Sequence, residues 1–393
     1  MNRISELTKS RLAQAKDRIT RAYGYEEGLV PWLVVDTPYW LFGEAPDTIP
    51  DDYFTSVKSQ FDHQMALVER HFEAVPDDDY IPLLFPWYGT GVLPSALGSE
   101  VVFPPKMDPV VVGAVLETPA DVRKLRMPDP EKDGLMPKVL ECIRYMKAHS
   151  DLPVSFTDCQ GPLNIALSLC GAERLFVWLY EAPRAVHELM DFCTEALIQW
   201  VKAQKAAARQ PLNGGAMPHA IWLPDGFGGV WMSDDDLAVI SAPQYREFVV
   251  PYNGRVLQAF GGGTIHFCGT AEHQLENLLH TPGVVGVNNF CMGNFHQIYR
   301  MQELYKGKLL VMACDFSPAD IEGYYAELLR GLARRGVIVA AFPSPCVALS
   351  AGKYVECRRS SEDLSHALCA ALRPLSRCTL PSQPAVAPLP KMS

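Results

Sequence analysis

The chain has 393 residues, of which 48% are hydrophobic, and its 45 Asp and Glu outnumber 35 Lys and Arg, giving a formal net charge of −10. This composition supports a sizeable core and argues against a nucleic-acid-binding surface or a surface for anionic membranes. No apolar run approaches the roughly 20 residues of a membrane span, and eleven scattered cysteines without a secretion signal predict free or metal-bound thiols in a reducing cytoplasm.

The first predicted element is an amphipathic helix over residues 4–23, after which strand-like and helix-like segments alternate. Eight short apolar segments are the predicted strands: 29–36, 80–87, 152–158, 215–223, 263–268, 284–290, 308–314 and 337–342. Seven longer segments have helical patterns: 51–74, 135–148, 173–208, 242–260, 270–279, 295–304 and 317–334. Repeated strand–helix units predict one (β/α)8 TIM barrel over residues 29–376, with residues 1–28 as an N-terminal helical extension.

The alternative fold is an open, doubly wound sheet, whose usual glycine-rich first turn is matched only weakly by Gly89-Thr-Gly91. Residues 377–393 contain four prolines and no helical pattern, so we expect a disordered tail there.

Polar, aromatic or thiol residues stand at the carboxyl end of every predicted strand, where a barrel enzyme builds its active site. They are Asp36, Trp87 and Tyr88, Asp158 to Gln160, Asp225, His266 and Cys268, Asn288 and Asn289, Cys314 and Asp315, and Cys346. Asp158 and Asp225 are the candidate catalytic residues, which would orient a substrate or handle a proton, although each would equally suit a helix cap.

A second set of residues is suited to contact a substrate. Four aromatic side chains would form the wall of an apolar or aromatic ligand pocket: Trp40, Trp87, Tyr88 and Trp222. Asn288 is a further candidate substrate-binding residue, with turn formation as the alternative interpretation.

His266-Phe-Cys268 is the most informative motif, because side chains two apart on a strand point to the same face. Zinc readily accepts this nitrogen and sulfur pair, and three protein ligands with one open position are typical of catalytic zinc. Cys291, Cys314 and Cys346 are the candidates for the third ligand. Cys346 is favoured, because a ligand from strand 8 lies nearly opposite strand 5 and would centre the metal over the barrel.

Three segments resemble the uroporphyrinogen decarboxylase superfamily: 125–133, 158–171 and 241–290. The resemblance covers roughly residues 80–360 and implies a (β/α)8 barrel. One branch of the superfamily decarboxylates uroporphyrinogen without a cofactor. The other comprises zinc-dependent methyltransferases that act with a corrinoid (cobalamin) protein and are marked by His-x-Cys followed later by Cys.

The resemblance favours the methyltransferase branch. Residues 30–41 contain no arginine where the decarboxylases have an arginine-rich segment, and Phe85-Pro-Trp-Tyr stands where their essential aspartate is expected. A substrate with eight carboxylates needs cationic partners, which arginine supplies best. The methyltransferase motif falls on His266, Cys268 and Cys346, with Pro345 in place of the family glycine.

The resemblance therefore implies zinc, a corrinoid-binding partner protein and a small methyl donor or acceptor such as a methoxyaromatic, a methylamine or a thiol. Cofactor-free decarboxylation is the alternative activity, and a barrel that binds a corrinoid or a partner without chemistry is the non-enzymatic alternative. We expect no nucleic-acid or membrane partner and a cytoplasmic location, and a homodimer is compatible with the sequence.

Overall fold

The computed structural model describes residues 2–26, 28, 30–36, 49–104 and 107–376. Trp40 and the predicted tail 377–393 lie outside the described residues. The α-helices are α1 (Asn2–Tyr23), α2 (Val57–Ala74), α3 (Val92–Ala96), α4 (Met136–His149), α5 (Pro162–Cys170), α6 (Ala172–Glu181), α7 (Pro183–Ala208), α8 (Ala242–Phe248), α9 (Val250–Ala259), α10 (Leu275–Leu279), α11 (Phe295–Leu304), α12 (Ile321–Gly331) and α13 (Ser361–Leu372).

The strands are short at the start of the chain and longer towards its end. They are β1 (Trp32–Val34), β2 (Glu100–Val102), β3 (Val110–Val112), β4 (Gly215–Met217), β5 (Ile221–Leu223), β6 (Val230–Ser233), β7 (Gly263–Cys268), β8 (Val284–Phe290), β9 (Leu310–Phe316), β10 (Val337–Phe342), β11 (Val347–Ser350) and β12 (Lys353–Glu356). Short 3-10 helices span Pro119–Lys124, Pro218–Ala220, Asp235–Ala238, Glu272–Gln274 and Arg373–Ser376.

Six parallel strands form the central sheet in the order β1-β10-β9-β8-β7-β6. Two extended segments, the second around Leu84 and the third around Val154 in chain order, complete the ring between β6 and β1. Leu84 bridges Val154 in parallel, and Gln160 bridges Ser233 of β6 in the same way. The N–H of Asp79 donates to the carbonyl of Trp32 at 2.8 Å. Six strands and two extended segments, surrounded by helices, therefore confirm the predicted TIM-barrel fold.

The apolar composition of the barrel strands agrees with their burial. β9 and β10 are buried along their whole lengths, as expected for parallel strands covered by side chains inside and helices outside. Five helices begin after a residue whose side chain accepts a hydrogen bond from a first-turn N–H: Ser56, Ser241, Asn294, Asp320 and Ser360.

The fourth strand was predicted in the wrong place. Residues 215–223 form the antiparallel hairpin β4–β5, and the barrel strand is β6, seven residues later. The base of the hairpin lies at the amino end of the barrel, because the N–H of Gly229 donates to the carbonyl of Gly262 just before β7. The hairpin tip lies beside Asp158, so the hairpin extends into the barrel interior from its amino end.

Other boundaries differ less. The predicted helix 173–208 is divided between α6 and α7 at Pro183, and α5 precedes it without having been predicted. The predicted helix 242–260 is divided into α8 and α9 near Pro251, since proline removes a backbone donor. β9 begins and ends two residues later than predicted, so Phe316 rather than Cys314 ends the strand.

The helix α1 packs across the amino end of the barrel. Arg11 pairs with Asp78 at 2.9 Å, and Arg18 pairs with Asp79, whose side chain is 3% exposed. At the other terminus of the described chain, the indole N–H of Trp32 donates to Ser376 at 2.6 Å. The extension predicted from the sequence is thus tied to buried acidic residues of the barrel.

In the described part of the chain, no single helix has the length and apolarity needed to cross a membrane. The pair α5 and α6 meets that test only when taken together, and the two helices are bent by 106° relative to each other.

Candidate active site

A cavity of about 130 Å³ lies at the carboxyl end of the barrel strands. The residues lining it come from every part of the ring except β1, from the hairpin tip and from β12. They are Thr90, Asp158, Gln160, His219, Ile221, Trp231, Ser233, Asp235, His266, Cys268, Asn288, Phe290, Phe316, Phe342 and Tyr354. This is the position at which TIM-barrel enzymes carry their active sites.

Three potential metal ligands meet at one side of the cavity. The ligand atoms of Asp235, His266 and Cys268 all lie within 4.8 Å of one another. The Nε2 atom of His266 is 3.4 Å from the Cys268 sulfur and 3.6 Å from Asp235 Oδ1. Strand alternation brings His266 and Cys268 to the same face of β7, as the sequence predicts.

Asp235 joins this pair from the neighbouring strand. It follows β6 at the start of a 3-10 helix, and its carboxylate accepts hydrogen bonds from the hydroxyl of Ser233 and, at 2.7 Å, from the backbone N–H of Cys268. Asp235 was not predicted as a site residue, because the fourth strand was expected at 215–223. The signal in the sequence was Asp234-Asp-Asp236 directly after Val230–Ser233.

His266 is oriented by a buried amide. Its Nδ1 contacts the side-chain oxygen of Asn288, whose amide nitrogen is 2.8 Å from the Cys314 sulfur. This contact leaves Nε2 directed towards Cys268 and Asp235. Burial lowers the pKa of His266, so the imidazole is neutral near pH 7 and its Nε2 is able to ligate a metal.

The thiol of Cys268 is a weak acid in this environment. Burial of the sulfur and the adjacent Asp235 carboxylate both raise its pKa well above the usual value. Metal ions are the natural counter-charge for such a thiol, because coordination deprotonates it. A neutral imidazole, a thiol and a carboxylate converging on one point therefore fit a zinc ion with one position left open.

The cysteines proposed as third ligands lie elsewhere. Cys346 follows β10 in a half-buried loop, where its carbonyl accepts a hydrogen bond from the N–H of Cys357 at 2.8 Å. Cys314 is buried behind Asn288, and Cys291 contacts Asp315 at 3.0 Å. Within the described residues, none of the three belongs to the group formed by Asp235, His266 and Cys268.

Of the other predicted site residues, the structure brings Asp158 and Asn288 to the cavity. Trp87 is buried and donates its indole N–H to Asp108 at 2.6 Å, while Tyr88 is buried near Cys142 of α4. Neither side chain lines the cavity.

Trp222 and Asp225 belong to the amino end of the barrel. The Lys16 ammonium lies 3.9 Å from the ring centre of Trp222, and the exposed Asp225 interacts electrostatically with the same lysine. Their displacement from the cavity follows from the hairpin, whose base and not its tip carries Trp222.

One wall of the cavity is aromatic. Phe290, Phe316 and Phe342 end three adjacent strands, with ring centres 4.9–6.0 Å apart, and Tyr354 of β12 lies 5.5 Å from Phe316. None of these four aromatic residues was predicted to contact a substrate. The phenylalanine that ends each of β8, β9 and β10 was the signal.

With this geometry established, comparison with known proteins identifies the family. The sequence profile described as uroporphyrinogen decarboxylase (URO-D) matches residues 87–311, which is more than half of the chain. The chain belongs to the uroporphyrinogen decarboxylase family. The superfamily recognised from the sequence segments is thereby confirmed.

Individual relatives agree with this assignment. The uroporphyrinogen decarboxylase of Syntrophotalea carbinolica is 28% identical over 281 residues, covering 66% of this chain and 72% of the relative. That of Geobacter metallireducens is 28% identical over 268 residues, covering 63% and 70%. Among solved structures, a methyltransferase from Methanosarcina mazei superposes with a TM-score of 0.66 at 18% identity, over 92% of this chain and 99% of that one. At this identity the likeness shows the shared fold.

Proposed function

We propose that the protein is a zinc-dependent methyltransferase that moves a methyl group between a small substrate and a corrinoid carried by a separate protein. The observation that carries the proposal is the convergence of Asp235, His266 and Cys268 at the barrel mouth. The fold shared with a protein named a methyltransferase supports it. The cytoplasmic location predicted from the sequence is part of the same proposal.

We assign the zinc to His266 and Cys268, with Asp235 as the third ligand. All three donor types are ones that zinc accepts. Cys346, the third ligand predicted from the sequence, would have to enter through a shift of the loop between β10 and β11. When bound, zinc supplies Lewis acidity towards a thiol or a methyl-bearing heteroatom.

The protein's own residues then have defined tasks. Asn288 keeps the Nε2 atom of His266 directed at the ligand group. The phenylalanine wall excludes water from the side of the cavity facing β8, β9 and β10. Water exclusion strengthens the electrostatic interactions made inside the site.

The cavity gives little support to uroporphyrinogen decarboxylation. Among the described residues that line it there is no lysine or arginine, whereas Asp158 and Asp235 are both present. A polycarboxylate would meet like charge without compensation. The cavity volume of about 130 Å³ is comparable with the roughly 150 Å³ that accommodates one benzene ring, which suits a small substrate rather than four pyrroles.

The direct test is a methyl-transfer assay. Purified protein is mixed with cob(I)alamin and a panel of methoxyaromatics, methylamines and methyl thioethers, and methylcobalamin formation is followed by absorbance; thiols are tested with methylcobalamin in the reverse direction. We expect turnover with at least one pair, and its loss in the His266→Ala/Cys268→Ser double variant. The absence of turnover with every pair, together with release of carbon dioxide from uroporphyrinogen, would contradict the proposal.

A further inference from the structure

A second polar group faces the cavity from the side away from the metal ligands. His219 lies at the hairpin tip, and Asp158 lies at the end of the extended segment around Val154. Both side chains are about nine-tenths buried, and the His219 Nε2 atom is 3.5 Å from Asp158 Oδ2. Trp231 separates this pair from the ligand group. Its ring centre is 4.8 Å from that of His219 and 5.2 Å from that of His266.

The backbone holds His219 in an unusual conformation. Its φ of 60° and ψ of 33° lie in the left-handed region, which a non-glycine residue adopts at a cost of about 1–2 kcal/mol. Such strain persists where the surrounding structure fixes it, and it is concentrated at functional sites. Here the strain allows the hairpin to turn at Pro218 and project the imidazole towards Asp158.

Asp158 is oriented independently of the histidine. The side-chain amide of Gln160 donates to Asp158 Oδ1 at 3.3 Å, which leaves Oδ2 directed at the imidazole. An imidazole beside an oriented carboxylate is a common arrangement for proton transfer. The pair therefore places an imidazole nitrogen beside a carboxylate oxygen at the edge of the cavity.

The space between the pair and the aromatic wall indicates the kind of ligand. The wall of Phe290, Phe316 and Phe342 suits the face or edge of one aromatic ring. The indole N–H of Trp231 is buried without a hydrogen-bond partner among the described residues. An oxygen atom on the ring would satisfy such a donor or receive a proton from the pair.

We propose that the His219–Asp158 pair protonates the leaving oxygen of a one-ring methyl aryl ether. The inference rests on the proposed function for the methyl acceptor, a Co(I) corrinoid on the partner protein. The bond between the methyl carbon and the oxygen breaks, and its electron pair stays on the oxygen. A Co(I) corrinoid, when bound, would supply the electron pair for the new bond to the methyl carbon. The task of the pair is to give a proton from the His219 imidazole to the oxygen, so the product is a neutral phenol.

The first test compares leaving groups. The variant His219→Asn keeps a residue type that tolerates the left-handed region, and the exposed His280 provides the matched control variant His280→Asn. With methoxybenzene we expect kcat to fall about 100-fold in His219→Asn, as for loss of a general acid. With pentafluoroanisole, whose leaving phenolate is a much weaker base, the loss should be below about tenfold. Asp158→Asn should show the same dependence in weaker form, as a positioning residue would.

The second test is independent of turnover. Calorimetry measures the binding of phenol and of benzene to the full-length protein and its variants. We expect His219→Asn to weaken phenol binding about tenfold, the effect of one hydrogen bond, and to leave benzene binding unchanged.

The outcomes separate the two proposals. Equal losses of kcat for both ethers, or unchanged phenol affinity in His219→Asn, would overturn the inference whether or not the wild type transfers methyl groups. A third outcome is that His219→Asn weakens phenol binding although the wild type transfers no methyl group. That result would support contact between the pair and the oxygen and would contradict the proposed function.

Discussion

At the scale of single residues, the candidate metal site depends on an unfavourable arrangement that a cation would relieve. Cys268 and Asp235 are adjacent, and the carboxylate helps to hold the pKa of the thiol above its usual value. Without a cation the thiol keeps its proton. Metal binding must therefore release that proton, so we expect zinc affinity to fall as the pH falls.

Substitution of the ligands should separate the two candidates for the third position. We expect Cys268→Ser and Asp235→Ala each to lower zinc affinity by more than about 100-fold, beyond the loss caused by an outer-shell partner. Zinc content after dialysis against a competing chelator measures this effect. Asp236→Ala is the charge-matched control, and Cys357→Ser is the control for a thiol. Retention of zinc by Asp235→Ala and its loss from Cys346→Ser would restore the assignment of Cys346.

Asp315 provides a pH-dependent contribution to stability. It accepts hydrogen bonds from Cys291 and Tyr324 and from the N–H of Met292, but burial is the larger effect and raises its pKa to about 6. Because the folded pKa exceeds the unfolded value, the folded state holds the proton more tightly. The stabilisation is present below the unfolded pKa, near 4, and is lost as the pH rises through about 6.

The variant Asp315→Asn removes this titration. Wild-type protein should gain about 1 kcal/mol of unfolding free energy from Asp315 at about pH 5 relative to about pH 7.5, and the variant should lack that increment. Urea unfolding at the two pH values gives the comparison. The exposed Asp151→Asn serves as control, and an identical pH dependence in wild type and Asp315→Asn would refute the expectation.

The candidate site was predictable where it depends on one strand. His266 and Cys268 follow from alternation along β7, and Asn288 follows from its position near the end of β8. Asp235 was not, because its proximity to Cys268 depends on the register between β6 and β7. His219 reaches the cavity through a hairpin that folds into the barrel, and local periodicity carries no information on that contact.

At the scale of elements, the hairpin β4–β5 depends on close backbone contact at its base. Gly228 has a φ of +98°, and a Cβ atom there would lie 2.0 Å from the carbonyl carbon of Gly262. Gly226, two residues away, has a φ of +89° but faces open space. The pair distinguishes steric exclusion from conformational strain.

We therefore expect Gly228→Ala to destabilise the fold more than Gly226→Ala. The left-handed region costs either alanine about 1–2 kcal/mol, and overpacking adds about 1–3 kcal/mol or more at Gly228 alone. Urea unfolding of the two variants measures the difference. Equal stability would show that the base of the hairpin is able to relax.

Element prediction succeeded where strands are long and buried. β7, β8 and β10 match the predicted bounds, since each is a short, mostly apolar segment followed by a turn that contains glycine or proline. The segments predicted as the second and third strands, 80–87 and 152–158, are extended but form only isolated bridges in the described structure. Their extended conformation was predictable, and their sparse hydrogen bonding was not. The hairpin was taken for the fourth strand because both are short apolar segments of similar composition.

At the scale of the whole molecule, α1 neutralises acidic groups that the barrel buries. Arg18 is the ion-pair partner of Asp79, whose carboxylate also accepts the N–H of Trp32 at 3.2 Å. Burial raises the pKa of Asp79 to about 6 even with the arginine present. The extension is therefore an integral part of the barrel's stability.

Removal of the arginine should destabilise the protein in a pH-dependent manner. We expect Arg18→Ala to cost about 3–5 kcal/mol near pH 7.5, because an unpaired charge remains buried. Near pH 5 Asp79 is able to take up a proton, and the cost should be smaller. The exposed pair of Arg144 with Glu131 is the control, and Arg144→Ala should cost no more than about 1 kcal/mol. A pH-independent loss for Arg18→Ala in urea unfolding would contradict this account.

The hairpin β4–β5, which occupies the barrel interior at its amino end, also determines from which side the cavity is reached. Because β4–β5 lies on the amino-end side of the cavity, the cavity in the described structure is reached from the carboxyl ends of the strands. Under the proposed function, the corrinoid-bearing partner would approach that same face. Entry of the substrate and docking of the partner would then use the same opening of the cavity. Under the proposed function, we therefore expect a fixed order of binding, in which the small molecule enters before the partner docks and the product leaves after the partner departs.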